Sequence, residues 1–339
     1  MFHRLLTLIK NLTRWDTWYD SKIPLFFVCM YYAALSRPFD ELLLLIDIAN
    51  LVFILCLYAC FGHVVNSFSD RFIDAAAGKP NEFSKISNRF GQIWVGIFVA
   101  GSVFFTVFIY HQRPSVVFLL FLTYALAAFY SIPPVRFKER GVLGLIAPAI
   151  AQRTLPVLII FEALMYWDMV ALLICILSTV IGLRSIIVHQ IKDVDADLRA
   201  SVKTMATTKG TDYLRNLLMH IIFPLELIFF IVSISVMSIN FKLIGIIGVV
   251  YMFWLAAQVL ALKIIERESF SLEPYIVSSS IFSDFYNLYW PLSLSLLLAL
   301  DNEKLWVVFL FTILWVLSKL VTEIKYIIHI VNSVRAEII

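Results

Sequence analysis

Charge is scarce in this chain: only 15% of its 339 residues are Asp, Glu, Lys or Arg, and the net charge is +3. A balance so near neutral carries no basic footprint for nucleic acid, so no nucleic-acid partner is expected. Cysteine is also scarce, and Cys29, Cys56, Cys60 and Cys175 all lie inside apolar runs without a CxxC pair or a metal-ligand spacing. They read as buried thiols, not as ligands. No Pro/Gly/Ser-rich linker or low-complexity tract interrupts the sequence, so residues 1–339 read as a single membrane-embedded domain. The alternation of polar and apolar residues that marks a membrane β-barrel is missing as well.

What fills the chain is apolar surface: 61% of residues are hydrophobic, 15% are aromatic, and the mean hydropathy is +0.89. Uncharged runs recur near the ~20 residues a helix needs to cross about 30 Å of hydrocarbon. Spans are expected near 17–37, 42–65, 91–110, 115–134, 141–164, 168–189, 214–239, 242–263, 283–300 and 304–328. Backbone groups in lipid must be satisfied within their own segment, so the fold class is an all-α polytopic membrane bundle. The stretch 285–300 has only 16 uncharged residues, which leaves nine or ten transmembrane helices.

The few basic residues are unevenly placed. Up to residue 284, the N-terminal residues Arg4, Lys10, Arg14 and Lys22 and the connections at 66–90, 135–140, 192–215 and 263–267 hold 18 Lys and Arg. The opposite connections hold three, Arg37, Arg113 and Lys242. The positive-inside rule puts the first set on the cytoplasmic side, or the matrix or stromal side, of a multi-pass protein for which a bacterial inner membrane is expected. Residues 1–16 alternate Leu5, Leu6, Leu8, Ile9, Leu12 and Trp15 with Arg4, Lys10 and Arg14, which suits a helix on the membrane surface better than a signal peptide.

Two acidic signatures fall on that basic side: Asn66, Asp70 and Asp74 in NSFSDRFID, and Asp193 and Asp197 in KDVDADLRA, expected in motif loops at about 66–90 and 190–213. A four-residue step on a helix leaves two side chains about 40° apart and about 6 Å along the axis, so each signature lines one stripe. Asp195 points away from the second stripe. Two facing stripes gather four carboxylates, a self-repelling cluster unless a cation joins it. Mg2+ prefers such hard oxygen ligands, taking one or two carboxylates together with phosphate oxygens and water. Four Asp and two Mg2+ cancel, so a bound diphosphate would still call for cations, and Arg71, Lys79, Arg136, Lys138, Lys192 and Arg199 lie on the same side.

With these residues the chain resembles the UbiA-type intramembrane prenyltransferase superfamily. The first signature is similar to the family's NDxxDxxxD pattern, with Ser67 in place of its second-position Asp, and the second is similar to DxxxD. The segment YSIPPVRFKERG, Tyr130 to Gly141, looks like the basic connection these enzymes carry between their fourth and fifth spans. The order span pair, motif, four spans, motif, remaining spans extends the resemblance over most of the chain. A weak echo of two four-helix halves accompanies it.

The resemblance implies Mg2+-dependent transfer of an isoprenyl group from a polyprenyl diphosphate donor to an aromatic or other electron-rich acceptor. Asp70, Asp74, Asp193 and Asp197 are the implied catalytic metal ligands, with Asn66 assisting. Tyr130, Arg136 and Lys138 are implied diphosphate contacts, joined by Arg71 and Lys192. Arg184 and His189 are candidate substrate contacts deeper in the bundle. His63 and His189 are alternatively satisfied interior histidines, and Arg184 is alternatively a structural partner of Glu226 or Glu162. Arg153 is a second charge inside an apolar span. The long apolar tail of the donor would lie between helices or in membrane lipid. Two other functions stay open: a terpene cyclase of the same superfamily that needs no acceptor, and a non-enzymatic membrane carrier with Arg153, Arg184 and Glu226 along its path.

Overall fold

The computed structural model describes residues 2–266, 271, 273–277 and 281–338, with no account of the side chains of 2–5, 266, 277 and 336–338. Arg4 and Arg267, counted above on the basic face, therefore lie outside the described side chains. All regular structure among the described residues is helical. Helix α1 covers Phe2–Thr13, α2 Ile23–Leu35, α3 Glu41–Ala76, α4 Asn88–Tyr110 and α5 Pro114–Ser131. Helix α6 runs over Leu143–Ala163, α7 over Met169–Arg199, α8 over Met205–Lys209 and α9 over Thr211–Asn240. Helix α10 covers Lys242–Glu266, α11 Glu273–Val277, α12 Trp290–Asp301 and α13 Trp306–Ile338.

Eight of these helices are long and apolar enough to cross a membrane, and the chain is an integral membrane protein. The remaining two apolar segments of the sequence are α2, with 13 residues, and α12, with 12 preceded by the π-helical turn Phe285–Tyr289. Their shortness has a physical reason. Almost every residue of α2 from Ile23 to Ala34 is buried, and α12 buries Trp290, Leu294 and Leu298 against it, so protein and not lipid surrounds both. The longer helices face outward with large apolar side chains such as Phe104, Phe108, Phe253 and Leu314.

Helix starts follow local chemistry. The Asp40 carboxylate accepts from the Leu43 amide at 3.0 Å at the head of α3, and Asp168 accepts from the Ala171 amide at 2.8 Å at the head of α7. Helices α2 and α5 begin with a proline in the first turn, where the missing N–H costs nothing. Close packing fixes α7 against α6: a Cβ on Gly182 would lie 2.9 Å from the Ala149 carbonyl oxygen and 3.0 Å from its Cα.

One expectation needs correction. The acidic signatures are not in loops at 66–90 and 190–213: α3 continues unbroken to Ala76 and α7 to Arg199. At 36 and 31 residues they are about 54 and 46 Å long, well beyond the hydrocarbon thickness, so their acidic ends extend past it as helix. Charge does not stop a helix once water reaches it; α3 ends only where Gly78 takes a left-handed φ of 73° and Pro80 follows. The N-terminal segment is helical as expected, and its apolar face packs on protein: Leu12 is buried against Val64 and Phe83, with Leu8 alongside. Among the described side chains of this helix, Leu6 is an exposed apolar one.

Candidate active site

The C-terminal ends of α3 and α7 meet at one mouth of the bundle. Lys79, in the turn after α3, donates from Nζ to Asp193 Oδ2 at 2.7 Å and to Asp197 Oδ1 at 3.3 Å, tying the second stripe to the helix that carries the first. On the first stripe, Asp70 is buried and pairs through Oδ1 with Lys138 Nζ, while Arg136 Nη2 stands 3.7 Å away. Asp74 accepts from Asn81 Nδ2 at 2.7 Å and lies 3.7 Å from Arg14 Nη2. Asn66 accepts through Oδ1 from the Ser131 hydroxyl at the end of α5. Each carboxylate of the two stripes thus has a cationic neighbour, which removes the self-repulsion that the sequence pattern implies.

The basic connection between α5 and α6 is held tightly. Arg136 adopts a left-handed backbone with φ 40°, a conformation costing a non-glycine residue about 1–2 kcal/mol, and its Nε lies 2.8 Å from Glu139 Oε1. A Cβ on Gly144 would meet the Lys138 carbonyl oxygen at 2.9 Å, so the start of α6 presses directly on the backbone that carries Lys138. Lys79 lies outside the spans, and its protonation follows its surroundings. Burial works to lower its pKa, but the hydrogen bonds and negative charges of Asp193 and Asp197 outweigh burial and hold it above the ordinary lysine value of 10.5.

Beneath the mouth is a cavity of about 470 Å3 between α2, α3, α5, α6, α7 and the π-helical turn before α12. Asn66, Tyr130 and His189 line its outer end, and Lys22, Gln152, Arg153, Arg184 and Asn287 its inner part. Tyr130 also lies within electrostatic reach of Asp70, Asp197 and Asp193. His189 Nε2 is 3.7 Å from Asp193 Oδ2, one helical turn along. Arg184 is engaged in a buried two-point pair with Glu226, Nε to Oε2 at 2.6 Å and Nη2 to Oε1 at 3.1 Å, while Glu162 instead accepts from Trp167.

Two candidates fall away from the cluster. Arg71 turns to the outer side of α3, where Nη2 donates to Asn88 Oδ1 at 2.8 Å and its guanidinium lies over the rings of Phe68 and Phe72. Lys192 is exposed on α7 and makes none of the contacts described at the mouth. Each is one residue from an Asp, hence about 100° around the helix from the stripe. Ser67 is also off the stripe: it is buried, and its carbonyl accepts from Asn81 Nδ2 at 2.8 Å.

Arg14 and Asn81 were not among the site residues expected from sequence, nor were Lys22 and Gln152 inside the cavity, and Lys79 was grouped with the cations of that side without a partner. The one local signal for Lys79 and Asn81 is their position just past the α3 terminus, five and seven residues after Asp74. Among the described residues no three His, Cys, Asp or Glu side chains converge on one point as a ready-made metal cage. The donor set nevertheless fits Mg2+, whose protein ligands are oxygens and which draws the rest of its shell from phosphate and water.

A family model for the UbiA prenyltransferase family matches residues 23–270. Solved structures of a UbiA homolog from Archaeoglobus fulgidus share the fold at 17% identity, covering 85% of this chain and 99% of that one. The structure bound to GPP and Mg2+ gives a TM-score of 0.56, and the one bound to DMAPP and Mg2+ gives 0.54. No curated protein matches the chain.

Proposed function

Because this chain belongs to the UbiA prenyltransferase family, we propose that it transfers an isoprenyl group from an isoprenyl diphosphate to an electron-rich acceptor inside the membrane, with Mg2+ as cofactor. One observation supports this above the rest. The carboxylates of α3 and α7, 119 residues apart at Asp74 and Asp193, meet at the mouth of a single cavity among Lys79, Lys138 and Arg136. The A. fulgidus homolog's structures with GPP or DMAPP and Mg2+ give the donor and the metal their chemical class.

Asp70, Asp74, Asp193 and Asp197 would hold Mg2+, with Asn66 assisting, and the metal would neutralise charge on the diphosphate. Lys138 and Arg136 supply further positive charge to the leaving diphosphate as its allylic C–O bond breaks. Tyr130, Tyr58 and Phe26 offer aromatic faces to the allylic cation and help keep water from it. An electron-rich carbon or heteroatom of the acceptor then closes the new bond and loses its proton. The polar inner part of the cavity favours a bound acceptor over acceptor-free cyclisation. The carrier alternative is weakened because Arg184 and Glu226 satisfy each other while 4% and 0% exposed. The placement of the mouth on the cytoplasmic side is part of the same proposal and rests on the basic residues of that face.

Purified protein given labelled isoprenyl diphosphate and an acceptor extract should release diphosphate only with Mg2+. Asp70→Ala and Asp193→Ala should each abolish release. Full turnover in both variants would remove the proposal's basis.

A further inference from the structure

Helix α13 is longer than a membrane requires. It runs over 33 residues from Trp306 to Ile338, about 50 Å, with no Pro or Gly to bend it. Its contacts mark where it leaves the bilayer. Trp315 Nε1 donates to the Tyr19 carbonyl at 2.9 Å, and the Tyr19 hydroxyl donates to Ser318 Oγ at 3.2 Å, so Ser318 is level with the polar turn between α1 and α2. That turn is on the side of the mouth, where its Arg14 reaches Asp74. Lys319 Nζ lies 2.9 Å from Asp284 Oδ1, and Lys325, His329, Asn332 and Arg335 are exposed farther along. Residues 319–338 therefore extend about 30 Å past this level.

A helix in water ordinarily turns polar side chains outward, yet this one keeps an apolar stripe. Leu314, Leu317, Val321, Ile324, Ile328 and Val331 are 43% to 70% exposed and follow one another at alternating steps of three and four residues. That is the seven-residue period of a coiled-coil seam. Leu314 and Leu317 belong to the lipid-facing part, where exposed apolar side chains are ordinary. Val321, Ile324, Ile328 and Val331 lie past Ser318, fall within about 80° of the helix circumference, and are bordered by Lys325, His329 and Asn332. Glu323 and Ile330, on another side, are buried and dock the helix on its own bundle. The seam ends where Arg335 takes the next position.

We propose that α13 pairs in parallel with α13 of a second copy of this chain, so that the protein is a dimer joined by a two-stranded coiled coil. The continuity of the seam selects this occupant. Lipid covers Leu314 and Leu317 but not the residues past the membrane, and a soluble partner covers only the latter. An unkinked helix cannot turn to lay residues 324–331 on the membrane surface. A second copy brings a helix that crosses the same interface at the same residue, and because copies share one orientation in the membrane, the two helices run parallel. With Leu314, Val321 and Ile328 at a and Leu317, Ile324 and Val331 at d, each seam residue meets its own counterpart across a two-fold axis. Val and Ile at a suit two strands. Lys325, at e, faces the g position of the other strand, which is Leu320, so no like charges oppose each other along the seam.

The test is disulfide cross-linking of full-length protein in isolated membranes, oxidised with copper phenanthroline, with single cysteines placed on and off the seam. Val321→Cys and Ile328→Cys should each give a product of twice the chain mass. His329→Cys should not, nor should the unsubstituted protein, whose own thiols lie in α2, α3 and α7. Adding Ile324→Glu to Val321→Cys should cut the cross-linked fraction at least tenfold, and a cooperative melt in detergent shows that this variant is folded. Should it not fold, Ile324→Asn in its place must cut the fraction at least threefold, and no change overturns the proposal. The proposal is also overturned by no dimer at either seam position, by equal cross-linking of His329→Cys, by a product whose mass is not that of two copies, or by full cross-linking after Ile324→Glu.

Discussion

The two ends of the central cavity are built from the same helices with opposite charge logic. At the mouth, acids set the pattern, and Lys79 and Lys138 reach them from short connections. At the inner end, cations set the pattern, and the nearby acid Glu226 is fully buried in a fixed two-point pair. Lysines on connections can leave a carboxylate and follow a ligand. A buried guanidinium–carboxylate pair cannot part without leaving a charge unsolvated. The mouth is thus suited to exchanging partners during a reaction, and the inner end to holding shape.

Five substitutions sharpen or break that contrast. The largest effect is expected at the mouth: Asp193→Ala should lower diphosphate release by about 10^3-fold, equivalent to ~4 kcal/mol, with little change in melting temperature. A large fall in melting temperature would mean that the mouth is structural after all. Glu226→Gln should do the reverse. It strands Arg184 without its charge partner and should cost about 3–5 kcal/mol of stability, read as a lower melting temperature in detergent. Wild-type stability in that variant would show that the inner end is not rigidly paired.

Overpacking comes next. Gly182→Ala places a methyl against the Ala149 backbone and should cost about 1–3 kcal/mol, shifting α7 relative to α6. Gly144→Ala presses on the Lys138 carbonyl instead, so its activity should fall more than its stability, measured as diphosphate release beside melting temperature. The smallest effect is Lys79→Met in metal-free protein, under about 1 kcal/mol for a partly exposed pair. Because the lysine pKa is raised in the fold, its contribution is complete below pH 10.5 and fades as pH climbs through the raised value. The melting-temperature gap between wild type and variant should therefore be flat at neutral pH and close above that point.

Much of the fold was legible from sequence because hydrocarbon thickness and backbone hydrogen bonding leave few alternatives for long apolar runs. Helices α2 and α12 were harder, since shielding by neighbouring protein permits a shorter helix than lipid does. The facing of the acidic stripes followed from four-residue spacing and an even number of intervening spans. The same helical geometry turns Arg71 and Lys192 about 100° from the stripes. Lys22 and Arg153 were not legible as a pair. They are 131 residues apart in sequence, and only the packing of α2 beside the π-helical turn of α6 brings both to one wall.

The central claim is that the stripes on α3 and α7 act as one site, and a double-mutant cycle on donor binding tests it most directly. Mg2+-dependent binding of labelled geranyl diphosphate would be measured for wild type, Asp70→Asn, Asp193→Asn and the double variant. Each single substitution should weaken binding at least a hundredfold, and the double variant should be scarcely worse than either. Wild-type affinity in either single variant, or two losses that simply multiply, would contradict a shared site.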